Sequence, residues 1–541
     1  MIDNELLAAF VSEMDALRVH GRDFARAYPD VASRLDIGAQ PSSDAQVERV
    51  IEATAFLAAR LRLMIERNAT ELPLSMLSLI APSLVEPVPS FALLQLEGGV
   101  EAHEIERNVR FDLPLGGGGS LICLSTTMSV IAAPLRVHTR RLESGGSHAD
   151  GVGIRLLGQV PERITFCLGK NDRTAAALMD AFAEQLAAIE VVREGGEAVA
   201  LPLQAVRVLG FGPEDAALPV RPATHPAHRV VTEFLVFPAK FRFISLHATG
   251  LRSGDEIRFR FRRPINLPAQ LEADVISVNR VPVVNLWPTV SAPIDVDGRR
   301  LEYPVQVNSM RYRTLECHSI ESVDAYQGGR SEAQRLDPVL SLGAVRGTPM
   351  QWGSRRAMSR RGSELYMYFR GLDYRRLGRR KFLATGNVLA SNRDTASYLQ
   401  TGTPGTAVDP SGGWSARLVN VPTPYLPGLD GARALETMIG YLNSGMVGFI
   451  GEARRGVLQD YLKRFPGADR APWIDGVKGA AMRPVMVSRG RQTVAGVGLA
   501  INFEASNYPN TSQGIVKRVL GLLFESQRGL NRVEQLTIHA S

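Results

Sequence analysis

Near the start of the chain, apolar positions recur at alternating steps of three and four: Leu7, Phe10, Met14, Leu17, Gly21, Phe24 and Tyr28. That spacing lays a seam along one face of a helix, and Pro29 ends it. A second seam runs through Val47, Val50, Thr54, Leu57, Leu61 and Met64. Ahead of it, Ser43 and Gln46 have the spacing of a capping box, in which each side chain satisfies an orphan backbone amide. Both seams are narrow, as suits helices packed in a bundle or across a subunit interface, although an intramolecular helical hairpin satisfies the same spacing. Leu7, Phe10, Met14, Leu17, Val47, Val50, Leu57 and Leu61 are therefore candidate partner-binding positions.

Pro73, Pro82, Pro87 and Pro89 punctuate the end of this helical region, and an apolar run over 91–96 opens territory that is mostly strand-like as far as about 420. The clearest strand is Ile257, Phe259 and Phe261 alternating with Arg258, Arg260 and Arg262, a period of two that puts aromatics on one face and guanidiniums on the other. Segments 281–287 and 364–369 look similar, and one helical interruption is expected over 174–192. Beyond about 431, helix (434–465, 515–527) mixes with strand (494–503, 533–539). The expected fold class is α+β and multidomain. It comprises an N-terminal helical region over 1–90, β-rich domains over 91–230 and 231–430, and a mixed α/β region over 431–541.

A length of 541 residues fits several domains of about 150 residues each. With 45% apolar and 22% charged residues the chain can bury sizeable cores, which excludes a largely disordered or fibrous protein. The net charge of +7 is concentrated: residues 355–381 hold ten basic and two acidic side chains, and the remainder is almost neutral. Tyr366, Tyr368, Phe369 and Tyr374 interleave with these arginines, a pattern that could neutralise phosphates and stack on bases. A basic hairpin docking on an acidic protein surface needs nothing more than the same pattern. Because no nucleic-acid module is recognisable, protein docking is preferred to nucleic acid, with Arg375, Arg376, Arg379 and Arg380 as its candidates, and a solvated basic face with no partner satisfies the same pattern.

Three widely spaced cysteines, Cys123, Cys167 and Cys317, argue for a reducing compartment rather than a disulfide framework. The start is acidic instead of carrying a basic and then apolar leader, and no uncharged apolar run approaches about 18 residues, so a soluble cytoplasmic protein is expected. Gly116, Gly117, Gly118 and Gly119 lack the Lys and Ser or Thr of a phosphate-cradling loop and suit a hairpin tip. His225 and His228 could hold a metal only with further ligands that the neighbouring sequence lacks, and adjacent Cys317 and His318 would point opposite ways on a strand. No nucleophile elbow, zinc-protease helix or paired-carboxylate motif is present, so neither enzyme, cofactor nor metal site is expected.

The order of short blocks along the chain carries more. Phe24-Ala25-Arg26-Ala27-Tyr28-Pro29, Arg34-Leu35, Val47-Glu48-Arg49-Val50, Ala55-Phe56-Leu57-Ala58-Ala59-Arg60, Pro82 and Pro87-Val88-Pro89-Ser90 come first. Phe237-Pro238-Ala239-Lys240-Phe241, Pro282-Val283-Val284-Asn285-Leu286-Trp287 with Ala292-Pro293-Ile294, Asn392-Arg393-Asp394 and a closing strand over 533–538 follow. Together they resemble the TssF family of type VI secretion baseplates. This chain departs from the family pattern at Ser43-Asp44-Ala45-Gln46, at Trp287 in place of the commoner Phe, and after Asp394, where an expected Leu-Pro is missing. The resemblance implies a non-enzymatic wedge scaffold, two copies assembling with one TssG and joined by TssE and TssK around a VgrG hub. Such a wedge primes contractile sheath assembly and docks on the inner-membrane complex. A wedge protein of a phage-like contractile injection particle is the alternative within this class, and a nucleic-acid-binding protein built on the basic stretch is the alternative outside it.

Overall fold

The computed structural model describes residues 2–540 except 36–43, 117–119, 144–148, 170, 222–223, 269–270, 273, 309, 312, 328–332, 340–349, 360–361, 372–381, 409–411, 430, 443–455, 490–491, 505–509 and 527–532. Its helices and many strands make an α+β chain of two compact units, residues 1–79 with 430–438 and residues 80–429 with 439–541.

In the first unit, α1 (Ile2–Ala27) and α2 (Pro29–Leu35) precede α3 (Ala45–Ile80). The last of these runs for 36 residues, about 54 Å at an α-helical rise. It continues through Pro73 instead of ending there. Arg18–Glu48 and Arg62–Glu13, each at 3.1 Å, tie α1 to α3. Only the middle of the α1 seam lies on the inner side as an intramolecular hairpin requires: Met14 and Gly21 are buried and Phe10 and Leu17 half-buried, whereas Leu7, Phe24 and Tyr28 are exposed. On α3 the inner face is a different one, built on fully buried Ala55 and Ala59, whose small side chains permit close helix approach. The expected seam of Val50, Thr54, Leu57, Leu61 and Met64 is turned outward and exposed.

The second unit opens with α4 (Pro82–Val85), which starts at Pro82, where a missing N–H costs nothing. A closed barrel follows, ordered β1 (Phe91–Glu97), β15 (Arg280–Val284), β4 (Leu121–Thr126), β3 (Arg110–Pro114), β24 (Pro404–Ala407), β25 (Ser415–Leu418). A short pair, β2 (His103–Ile105) and β5 (Val130–Ala132), stands beside it in sequence. The β3–β4 hairpin brings Pro114 opposite Leu121 across the glycine run.

A five-stranded sheet is ordered β10 (Ala198–Leu201), β9 (Leu186–Val192), β13 (Glu256–Ile265), β7 (Ala149–Gly158), β6 (Leu135–Leu142). A four-stranded one is ordered β11 (Val206–Val208), β12 (Phe243–His247), β8 (Arg163–Leu168), β14 (Ile276–Ser277). Strand β13 alternates as its sequence predicts: Ile257, Phe259 and Phe261 are buried, and Arg258 and Arg260 face outward.

An eight-stranded sheet links β16 (Trp287–Val290), β23 (Phe382–Ser391), β19 (Glu316–Gln327), β20 (Gln334–Pro338), β21 (Gln351–Ser359), β22 (Gly362–Arg370) and β18 (Tyr303–Pro304), with β17 (Ile294–Asp295) also on β23. The last sheet is β26 (Val477–Arg489), β27 (Gln492–Phe503) and β28 (Val533–Ala540).

Two helical expectations are corrected. The helix over 174–192 is α5 (Asp172–Asp180) plus a π-helical turn (Ala181–Gln185), after which the chain becomes β9, because Ile189 and Val191 are core residues of a sheet. The second is an omission: α6 (Pro226–Val236) lies in the supposedly strand-rich region and is buried on every side. Such a helix carries little amphipathic signal. Its usable signals are His225 at the N-cap and Pro226 in the first turn. Further on, α7 (Gly431–Leu442) and α8 (Val457–Leu462) fall within the helix expected over 434–465, of which 443–455 lie outside the described residues, and α9 (Gln513–Ser526) matches the one expected near 515.

Candidate functional site

The sequence motifs that stand out turn inward and are sealed. Glu233 on α6 is fully buried, and its carboxylate accepts from Arg229 Nη1 at 3.0 and 3.1 Å, from the N–H of Ala217 at 3.0 Å and Leu218 at 2.9 Å, and from Lys240 Nζ. Lys240, the lysine of Phe-Pro-Ala-Lys-Phe, also donates to the Gly210 carbonyl at 2.8 Å and is itself fully buried. Burial alone would push the Glu233 carboxyl up; Lys240 and Arg229 outweigh it and hold the group below the ordinary range. Burial pulls Lys240 down too, yet the four donors on Glu233 fix that carboxylate as charged, and the lysine is its counter-ion. Catalysis would require access, and this cluster has none.

The Pro-Val-Val-Asn-Leu-Trp and Asn-Arg-Asp blocks meet each other. Asn285 Nδ2 donates to Asn392 Oδ1 at 2.8 Å and to the Cys123 carbonyl at 2.7 Å, and the Asn392 N–H returns a 2.7 Å bond to Asn285 Oδ1. Asn392 Oδ1 also accepts from the Cys123 N–H at 3.0 Å. The ends of β15 and β23 are thereby stitched to β4, joining the barrel to the eight-stranded sheet. Next to it, Arg393 adopts a left-handed φ of 53° and donates to the Leu315 carbonyl. Buried Glu316 accepts from Ser391 at 3.0 Å and Tyr425 at 2.9 Å, and burial raises its carboxyl.

His225 caps α6 by accepting from the Ala227 N–H at 3.2 Å. His228 is buried against the rings of Tyr441 and Phe465, with its imidazole pushed down to about 4 by burial and secondarily by His225. Cys317 and His318 are both buried because a bulge in β19 interrupts strand alternation there. Burial pushes the Cys317 and Cys123 thiols up to about 12, far from the reactive range. Among the described residues no three of His, Cys, Asp and Glu stand together as a metal would require. A cleft of about 220 Å³ is lined by Pro82, Pro87, Pro219, Pro226, Arg221 and His318, and Arg221 is tied to Glu86 at 2.9 Å.

What remains is surface. On α3, Val50, Leu57, Leu61, Met64, Ile65, Leu72 and Leu79 are each more than half exposed, an apolar stripe along the helix. Of the α1 candidates Leu7 is 59% exposed, but Met14 is only 8% exposed and spent on the hairpin. Val47 is half-buried. In the basic stretch Arg355 forms a fork on Glu302 at 2.8 and 2.6 Å, and Arg356 donates to Ser363 and to the His318 carbonyl, so both serve the fold. Arg375, Arg376, Arg379 and Arg380 lie outside the described residues. No helix among the described residues is long and apolar enough to cross a membrane.

Sealed charges, inert thiols and a long exposed apolar stripe characterise the described residues of this helix-and-sheet chain. The chain belongs to the type VI secretion system TssF family, whose profile matches residues 2–541. It is 25% identical over 390 residues to the type VI secretion system component TssF1 of Pseudomonas aeruginosa strain PAO1, a match covering 66% of this chain and 62% of that relative's length. Its fold is similar to that of a chain in the TssK-TssF-TssG baseplate subcomplex of the type VI secretion system, with a TM-score of 0.74 at 18% identity over 91% of this chain and 96% of the other. A chain of a type VI secretion baseplate complex superposes with a TM-score of 0.55 at 18% identity, over 97% and 94%.

Proposed function

We propose that this protein is a structural subunit of a type VI secretion baseplate, assembling with TssG and TssK. The observation that carries the reading is the apolar stripe of α3 in a chain of the TssF family. Seven large apolar side chains in water along one helix are stabilised once a partner helix covers them. The solved neighbour belongs to a complex of these three proteins, which supports the choice of partners. The finer reading has two copies of this chain per TssG, TssE and a VgrG hub in the same assembly, and a cytoplasmic wedge docked at the inner membrane. It is supported by the family resemblance of the chain.

The test is co-purification. Leu57→Asp with Leu61→Asp places charge on the stripe at positions 63% and 57% exposed, where an unpartnered chain tolerates it and a dry interface does not. The variant should fold as the wild type does and fail to co-elute with co-expressed TssG; undiminished co-elution would put the interface elsewhere.

A further inference from the structure

The outer face of the five-stranded sheet is laid out for a partner in a way that neither the barrel nor the α3 stripe explains. Register places Arg140 of β6, Gly153 of β7, Arg258 of β13 and Glu190 of β9 in one row across the sheet, and His138, Arg155, Glu256 and Val192 in the next. Arg260 stands opposite Gly151 and Ala188 in a third row. Arg136, Arg262 and Arg263 extend the basic character and are exposed.

Glycine in the middle of this array has a specific task. A Cβ at Gly153 would lie 2.6 Å from Glu256 Oε1 and 3.3 Å from Arg140 Cγ. Its absence lets the Glu256 carboxylate cross β7 and bind Arg140 on one side, while Arg258 Nε donates to it at 2.8 Å on the other. Hydrogen bonds from Arg140 hold that carboxyl below its usual range, so the clamp is charged at neutral pH. Arg260 is similarly braced by Glu190 at 3.4 Å. The side chains of Arg140 and Arg155 remain 56% and 54% exposed, so their guanidiniums are oriented but still open to a ligand. Holding a long side chain in place beforehand removes part of the entropy cost of binding, and a guanidinium fork matches a carboxylate with two parallel bonds.

We propose that this arginine-lined sheet face is a docking surface for a carboxylate-rich protein segment. Charge complementarity selects the partner: six arginines (Arg136, Arg140, Arg155, Arg258, Arg260 and Arg262) against Glu190, Glu194 and Glu256 leave the face basic. The interleaved carboxylates repel a continuous phosphate backbone but admit a polypeptide that can place its own charges between them. The outward rows carry no Phe, Tyr or Trp on which bases could stack.

The experiment uses the full chain carrying Gln at Arg375, Arg376, Arg379 and Arg380, which removes the other basic stretch from the measurement. Fluorescence anisotropy would follow a labelled oligoglutamate peptide and a DNA duplex of equal charge at roughly 50 mM and roughly 200 mM salt. The peptide should bind, weaken with salt, and lose at least about tenfold in affinity in Arg136→Glu, Arg155→Glu, Arg262→Glu, with the thermal melt unchanged because all three side chains are exposed. If that triple reversal disturbs folding, Arg136→Gln with Arg262→Gln should still lower affinity several-fold. Absence of salt-sensitive peptide binding, equal binding by these variants, or tighter binding of the duplex would each overturn the proposal.

Discussion

His228 and His318 are 4% and 1% exposed, and burial pushes both imidazoles down to about 4. In the unfolded chain each titrates near 6.5, so the unfolded state binds more protons between those values and stability falls as pH falls. Their stabilising contribution is fully present above about 6.5 and is lost progressively towards 4, amounting to about 2 kcal/mol each at pH near 5. Urea unfolding at pH near 7 and near 5 should show this slope, and His228→Gln with His318→Gln should flatten it. A slope unchanged in the double variant would place the acid sensitivity in other groups. At this scale the sequence was legible as a set of blocks but not as a set of roles. Lys240, Asn285 and Asn392 could be marked by family resemblance, yet their partners Glu233, Gly210 and Cys123 come from other segments of the chain. Nothing in the local spacing names them.

Helix α3 shows what periodicity conveys and where it stops. It carries two apolar faces, one of alanines and one of larger residues, and spacing alone does not rank them. Packing does: the alanine face goes inward because small side chains bring helix axes close, and the bulky face is left for another surface. Ala55→Asp should therefore unfold the hairpin where Leu57→Asp does not, a contrast that circular dichroism melts would display directly. Helix α6 escaped notice for the opposite reason, since an element buried all round has no polar face to set its period. For the stretch around Arg375, Arg376, Arg379 and Arg380 the proposal is docking on an acidic surface of a baseplate partner. Neutralising the four should slow association at low salt and leave the fold intact; equal rates for wild type and variant at two salt concentrations would count against it.

Across the whole molecule, the stitched asparagines hold the barrel to the eight-stranded sheet through bonds between residues more than a hundred positions apart. Asn285→Leu removes the side-chain donor of the Cys123 carbonyl and the acceptor of the Asn392 N–H, and each orphaned buried group costs about 1–3 kcal/mol. The expected result is a lower midpoint of thermal unfolding for Asn285→Leu and for Asn392→Ala, with no comparable loss for Asn510→Ala at an exposed position. Such pairings are also why the sheets were legible only as strands: the alternation in 257–262 announces a strand and says nothing of its neighbours. The barrel makes the point in time as well as in space. Leu94 of β1 pairs with Val281 on one side and Leu418 on the other, so during synthesis at about 5–20 residues per second it waits roughly 15–65 s for its second neighbour. Over that interval a buried-to-be apolar strand has open edges in a crowded cell, which makes the nascent chain a natural client for a chaperone and ties the yield of this protein to the pace of the ribosome.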